Sequence, residues 1–166
     1  MADASAEANV GSVLVVDDEI ANRMILKAIL EPRGYRVLEA ESGERALEVL
    51  DREKADVILL DVMMSGIDGV ETCRRIRRRA DWMQLPVVII TSLTDRDTRI
   101  RGKEAGCDDF LNKPVDDLEL LARVHNLILV KIYRDQLERH NERLEALVAK
   151  RTAELRAALA RLQKAK

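Results

Sequence analysis

The sequence predicts an α/β protein: a doubly wound, five-stranded parallel sheet with helices on both faces, continued by a long C-terminal helix. Three observations lead there. Short apolar runs bounded by polar residues recur, as strands buried on both faces of a parallel sheet require. Stretches of helical periodicity separate them, and five βα units in about 125 residues imply helices on both faces. From Asp116 to about Leu162 there is neither Pro nor Gly.

In order, the first strand is expected at 12–16, where Val13-Leu14-Val15-Val16 runs into Asp17 and Asp18. Glu19 to about Leu30 follows as a helix, with Ile20, Met24 and Ala28 in a stripe and Ile25 and Ile29 beside it. Pro32 and Gly34 end it. Tyr35–Leu38 is a short strand, and Ser42 opens the next helix as an N-cap with Glu44 in the first turn. Ala46, Leu47, Val49 and Leu50 are that helix's inward positions. The third strand, Val57-Ile58-Leu59-Leu60, ends in Asp61. A loop through Ser65-Gly66-Ile67-Asp68-Gly69 leads to a helix at about 68–79. Pro86, tolerated at a strand's first residue, precedes Val87-Val88-Ile89-Ile90, which runs into Thr91 and Ser92. A helix at about 95–105 ends at Gly106, and the fifth strand, Asp109-Phe110-Leu111-Asn112, ends at Lys113-Pro114. The last helix begins near Asp116.

That helix continues past the point where a sheet could use it. At 1.5 Å per residue it would be on the order of 70 Å long. Beyond Val130 nothing in the head is left to cover its apolar stripe of Tyr133, Leu137, Leu144, Val148, Leu155, Leu159 and Leu162. Tyr133, Leu144 and Leu155 recur every 11 residues, as do Leu137, Val148 and Leu159. Such a repeat gives a nearly straight or slightly right-handed coiled coil. The expected partner is a second copy, in a parallel homodimer. The chain thus divides into a disordered leader at 1–11, a head at 12–130 and a helical coiled-coil extension at 131–166.

Composition fits this division. Hydrophobic residues make up 47% of the chain and aromatics 2%, so the core must be aliphatic. Residues 131–166 hold 10 Lys+Arg against 5 Asp+Glu, whereas residues 1–130 hold 18 against 25, an acidic head on a basic tail. Cys73 and Cys107 form no close-spaced pair or metal pattern and read as reduced thiols of a cytoplasmic protein. Residues 1–11 have neither the basic start nor the apolar core of a signal peptide, and no apolar run approaches the roughly 20 residues that span a membrane.

The chemistry lies where the strands end. If the strands are parallel, Asp17, Asp18, Asp61, Thr91 and Lys113 converge on one rim, in the crevice where open α/β sheets bind ligands. Three carboxylates there repel one another and call for a cation. Few, hard oxygen ligands fit Mg²⁺ better than zinc, and a carbonyl in the loop after Asp61 could add another. Magnesium commonly works with phosphate, which Lys113 could meet by charge and Thr91 by hydrogen bond. The chain has no Gly-rich nucleotide loop, so the phosphoryl group must arrive on something else. A carboxylate can take it as an acyl phosphate, and Asp61 is the candidate.

Asp17-Asp18, Asp61 at a strand end, Met64, Asp68-Gly69, Thr91 and Lys113-Pro114 together resemble the receiver domain of two-component response regulators, over about residues 11–130. The resemblance implies a flavodoxin-like sheet of order 2-1-3-4-5. It implies Asp61 as phosphoacceptor from a histidine kinase or phosphotransfer protein, and Mg²⁺ held by Asp17, Asp18, Asp61 and the Met63 carbonyl. Thr91 and Lys113 would contact the phosphoryl group, and Phe110 stands where the family carries its aromatic switch residue. Ser65 departs from the Pro often found there, which implies a less rigid loop. Met63 and Leu93, two beyond Asp61 and Thr91, offer no hydrogen bond to an attacking water, so the acyl phosphate is expected to last minutes to hours.

Other features read more plainly. Arg74-Arg75 and Arg77-Arg78-Arg79 form a basic cluster, but no winged helix or helix-turn-helix accompanies it. A solvated helix face with Ile76 inward is expected, and no direct nucleic-acid partner. His140 lacks the proline-containing context of kinase dimerisation helices. Asp56 reads as a solvated turn residue. Two alternatives to a complete signalling protein stay open. Lys150-Arg151-Thr152-Ala153-Glu154-Leu155 resembles linkers before cyclic-dinucleotide enzymes or histidine kinases, so an output domain could follow Lys166. A small phosphatase using Asp61 and Mg²⁺ is disfavoured, because no separate acid–base residue is apparent.

Overall fold

The computed structural model describes residues 9–92 and 96–165. It has five parallel strands in the order β2-β1-β3-β4-β5: β1 Gly11–Val16, β2 Tyr35–Ala40, β3 Val57–Asp61, β4 Val87–Thr91 and β5 Asp109–Asn112. The helices are α1 Ile20–Leu30, α2 Gly43–Arg52, α3 Gly69–Arg77, α4 Arg96–Ala105 and α5 Asp117–Lys164. Short 3₁₀ turns lie at Glu31–Arg33 and Ala80–Trp82. The chain forms two compact units, Met1–Lys131 and Ile132–Lys166.

Alternation along the strands sorts the core into two layers. Leu14, Val16, Ile58, Leu60, Ile89 and Phe110 face one side, where Ala46, Leu50, Val70, Ile76 and Ala105 from α2, α3 and α4 cover them. Val13, Val15, Leu59, Val88, Ile90 and Leu111 face the other, beneath Leu26 and Leu30 of α1 and Leu120, Val124 and Ile128 of α5. The strands at the centre of the sheet are buried throughout, as their unbroken apolar runs require.

Local signals account for most boundaries. The Ser42 Oγ accepts from the Arg45 N–H and caps α2, and the Asp68 Oδ1 accepts from the Glu71 N–H and caps α3. Asp116 Oδ1 does the same for α5 through the Glu119 N–H. Gly34 and Gly106 end helical segments at φ 85° and 93°, the left-handed region.

Three sequence expectations need correction. In α1 the stripe Ile20, Met24 and Ala28 is exposed, as is Ile25 beside it, and Leu26 and Leu30 are the buried residues. Asp56 is no solvated turn residue. Its Oδ2 accepts from the Ser12 N–H at 2.8 Å and its Oδ1 faces Lys131 Nζ at 3.4 Å, which ties the start of β1 to α5. Arg77 does not belong to a solvated face, since its guanidinium is engaged by four acceptors.

Burial pushes the Cys107 thiol up to about 12 and the Cys73 thiol to about 11, so both stay protonated and packed. In residues 136–164 of α5 every side chain is exposed, including Leu137, Leu144, Val148, Leu155, Leu159 and Leu162. Among the described residues no helix is long and apolar enough to cross a membrane.

Candidate functional site

With β1 between β2 and β3, the connection from β1 runs to β2 on one side and that from β3 to β4 on the other. The crevice at their C-terminal ends is where a doubly wound sheet binds ligands. Asp17 follows β1 directly and Asp61 is the last residue of β3, so both carboxylates stand at that crevice. Both are buried, and Asp18 is exposed beside them. One carboxylate oxygen from each lies within 4.8 Å of the others.

Lys113 follows β5 and reaches across to the pair. Its Nζ lies 3.3 Å from Asp61 Oδ2 and 3.5 Å from Asp17 Oδ2. The Lys113 N–H donates to the Thr91 carbonyl at 2.9 Å, which locks the exit of β5 to the end of β4. The Lys113-Pro114 peptide bond is cis. Thr91 itself is buried at the end of β4, where Ile90 pairs with Asp61 and Thr91 with Asn112.

The electrostatics favour a cation. Burial, then the charge of Asp17, raises the Asp61 carboxyl above the ordinary carboxylate range, while Lys113 and the Met63 backbone amide oppose the rise. One ammonium is thus set against two buried carboxylates and an exposed third. The donor set consists of hard oxygens from three aspartates, which fits Mg²⁺ rather than a thiolate- or imidazole-seeking metal.

A carboxyl raised in the folded state stabilises the fold most below its unfolded pKa, and this stability is lost as pH rises through the folded pKa. Metal-free Asp61→Asn is therefore expected to be more stable than wild type at pH 7. The difference should shrink as pH falls through the range in which Asp61 gains its proton. Urea unfolding midpoints of the two proteins across pH check this, and equal midpoints at pH 7 would refute it.

The surrounding loop is fixed by contacts that the sequence did not announce. The Arg23 guanidinium donates to the Asp17 carbonyl at 2.7 Å, and the Glu19 N–H donates to Asp17 Oδ1 at 2.9 Å. After Asp61, the Ser65 N–H donates to Asp18 Oδ2 at 3.3 Å and the Ile67 N–H to Glu44 Oε1 at 3.3 Å. A proline at 65 would lack that N–H. Ser65 therefore supplies an anchor where the resemblance implied a looser loop. Gly69 allows α3 to start against Asp61: a Cβ there would lie 2.2 Å from the Asp61 carbonyl oxygen.

Asp17, Asp18, Asp61 and Lys113 are thus brought together, with Thr91 on the neighbouring strand end. Phe110 lies in the core layer beneath α4, away from the rim. Met63 has an exposed side chain, and Leu93 lies outside the described residues.

Residues 13–125 match the family model of the response regulator receiver domain. The chain belongs to that family. The receiver is 46% identical over 125 residues to the response regulator PleD of Caulobacter vibrioides, a match covering 75% of this chain and 28% of PleD. It is 39% identical over 113 residues to the phosphate regulon transcriptional regulatory protein PhoB of Pseudomonas aeruginosa, covering 68% of this chain and 49% of PhoB. Among solved structures, it resembles the Vibrio cholerae chemotaxis protein CheY4, with a TM-score of 0.68 and 30% identity over 70% of this chain and 98% of that one. The receiver domain of the Pseudomonas aeruginosa sensor histidine kinase PA1611 gives a TM-score of 0.67 and 29% identity, over 71% and 97% of the two chains. That structure holds a magnesium ion in its active-site cleft. The chain spans less than half the length of PhoB and about a quarter of PleD. It is a receiver of the two-component signalling type.

Proposed function

We propose that this receiver takes a phosphoryl group on Asp61 from a histidine kinase or phosphotransfer protein and passes the signal on through its C-terminal helix. The observation that carries this is Asp61 itself, buried at the crevice beside Asp17 with Lys113 Nζ at 3.3 Å. Asp17, Asp18, Asp61 and the Met63 carbonyl would hold Mg²⁺, which supplies charge stabilisation to transferring phosphoryl oxygens when bound. An Asp61 carboxylate oxygen attacks phosphorus, the P–N bond to the donor histidine breaks, and the imidazole leaves with its electron pair. Lys113 offers the phosphoryl group an ammonium and Thr91 offers it a hydroxyl.

The added charge biases two states of the receiver. Thr91 moves toward the phosphoryl oxygens, and Phe110 fills the space behind it beneath α4. The protein acts as a phosphoacceptor that assists its own phosphorylation and dephosphorylation, without independent substrate turnover. It works in the cytoplasm as a homodimer, paired as a coiled coil along Tyr133, Leu137, Leu144, Val148, Leu155, Leu159 and Leu162. The 11-residue spacing of these exposed side chains supports that pairing.

Light scattering with and without beryllofluoride and Mg²⁺ tests the dimeric rod and whether the Asp61 site controls it. Wild type is expected to have the mass of a dimer in either condition, and Leu144→Glu with Leu155→Glu that of a monomer. A monomeric wild type in both conditions would overturn the coiled-coil reading. A dimer formed only with beryllofluoride, and not in Asp61→Asn, would make dimerisation itself the output.

A further inference from the structure

Gly102 stands in the interior of α4, where a glycine costs helix stability relative to alanine and calls for a packing reason. It is buried. A Cβ built at this position would lie 2.7 Å from Cζ and 2.9 Å from Cε1 of Phe110, and 3.2 Å from Cδ1 of Ile89. The first two distances are closer than carbon atoms tolerate. The obstacle is the rim of an aromatic ring, which cannot bend aside and can escape only by turning about its two side-chain torsions. The space occupied by the inward Phe110 ring is therefore the space left by the missing side chain of Gly102.

The ring is held from a second direction. The Arg99 guanidinium lies 5.4 Å from the ring centroid, and its Nη2 donates to Asn112 Oδ1 at 3.0 Å. Below, Phe110 pairs with Ile89 across β4 and β5. Ile89 lies two residues before Thr91, and alternation puts the two on one face of β4. The Phe110 ring and the Thr91 side chain thus share the face of the sheet beneath α4.

We propose that Gly102 is a positioning residue of the switch: by leaving room for the inward Phe110 ring, it sets how much of the receiver occupies the phosphoryl-competent state. This rests on reading Thr91 and Phe110 as the switch of the Asp61 site. With a methyl group added at position 102, the inward ring is overpacked and turns outward. Apparent affinity for a phosphoryl mimic then falls by the fraction of molecules remaining competent.

The chain contains a single phenylalanine, so ring-¹³C phenylalanine gives one set of aromatic signals from Phe110. In the full chain, wild type is expected to show contacts between these ring protons and the Ile89 methyls. G102A should lose them, and its affinity for beryllofluoride at fixed Mg²⁺, followed by the ¹⁹F signal of the bound anion, should fall roughly tenfold. An F110L background separates this from general damage. There the smaller side chain clears the added methyl, so G102A/F110L should bind beryllofluoride as F110L does and melt at a higher temperature, as helix propensity dictates. With Phe110 in place, G102A should lower the melting temperature.

Unchanged affinity in G102A, or an affinity loss of equal size in both backgrounds, would overturn the inference while leaving the Asp61 site intact. A wild-type protein that does not bind beryllofluoride would instead overturn the Asp61 reading, and the role of Gly102 with it.

Discussion

Asp61→Asn is expected to reduce phosphoryl incorporation to background when the full chain is incubated with a small phosphoramidate donor and Mg²⁺. The substitution keeps the shape of the side chain and replaces a carboxylate oxygen by a neutral amide, which is a poor nucleophile and forms no stable acyl phosphate. It also removes one of the three carboxylates proposed to hold magnesium, so loss of activity alone would not separate acceptor from ligand. Asp17→Asn makes the distinction. Asp17 is equally buried, lies beside the same lysine and belongs to the same carboxylate cluster. Its loss should weaken magnesium binding and slow incorporation, and raised magnesium should restore much of the rate, because the acceptor is still present. No magnesium concentration should rescue Asp61→Asn. The label should be released by hydroxylamine, as an acyl phosphate is. Label retained in Asp61→Asn, or a loss in Asp17→Asn that magnesium does not relieve, would move the acceptor elsewhere.

The sheet and its rim were legible because β1, β3 and β4 carry unbroken apolar runs that stop at a polar residue. Val57–Leu60 before Asp61 and Val87–Ile90 before Thr91 are the clearest cases. A both-faces-buried strand has little room for a charged or polar side chain, so the first one marks its end and, in a parallel sheet, the ligand-binding edge. The orientation of α1 was not legible. Its apolar residues occur at Ile20, Met24, Ile25, Leu26, Ile29 and Leu30, enough to draw more than one helical stripe. Only the position of the sheet decides that Leu26 and Leu30 go inward, leaving Ile25 and Leu26 to line a cavity of about 260 Å³ that also touches Asp17, Asp61 and Lys113.

Polar residues whose partners are distant in sequence were the other blind spot. Asp56 meets the Ser12 amide and Lys131, and Glu44 meets the Ile67 amide, across separations that no local pattern encodes. Glu44 sits in the first turn of α2 and was visible only as a carboxylate complementing the helix dipole. Its reach to the loop after Asp61 appears only once α2 and α3 are packed side by side. The same holds within the arginine cluster at 74–79. Arg74 and Arg75 pair with Glu71 on their own helix, and Arg79 covers the Trp82 ring at 3.8 Å, yet nothing in sequence separates these from Arg77.

Arg77→Ala should be among the most destabilising single substitutions in the head, costing about 3 kcal/mol and lowering the melting midpoint by on the order of 10 °C. The guanidinium closes the N-terminal edge of the sheet, opposite the Asp61 crevice. Its Nε donates to the Gly106 carbonyl at 2.8 Å, and Nη1 donates to the Leu85 carbonyl at 2.7 Å and the Trp82 carbonyl at 3.3 Å. Nη2 meets Asp108 Oδ2 at 2.8 Å, and the same oxygen accepts from the Val87 N–H at 2.8 Å. One side chain thus joins the end of α3, the Ala80–Trp82 turn, the start of β4 and the turn before β5. With the Arg77 side chain 17% exposed, its removal leaves carbonyls that water reaches poorly, and an unmade bond there costs more than a made one contributes. Arg77→Lys should recover little, since a single ammonium cannot span four acceptors in divergent directions. Arg75→Ala provides the comparison: an exposed helix-surface pair with Glu71, worth less than about 1 kcal/mol. Phosphorylation of Arg77→Ala, measured well below its melting range, should match wild type because the strand C-termini are untouched. If Arg77→Ala unfolds no more easily than Arg75→Ala, the guanidinium does not close this edge and its four bonds are incidental to the fold.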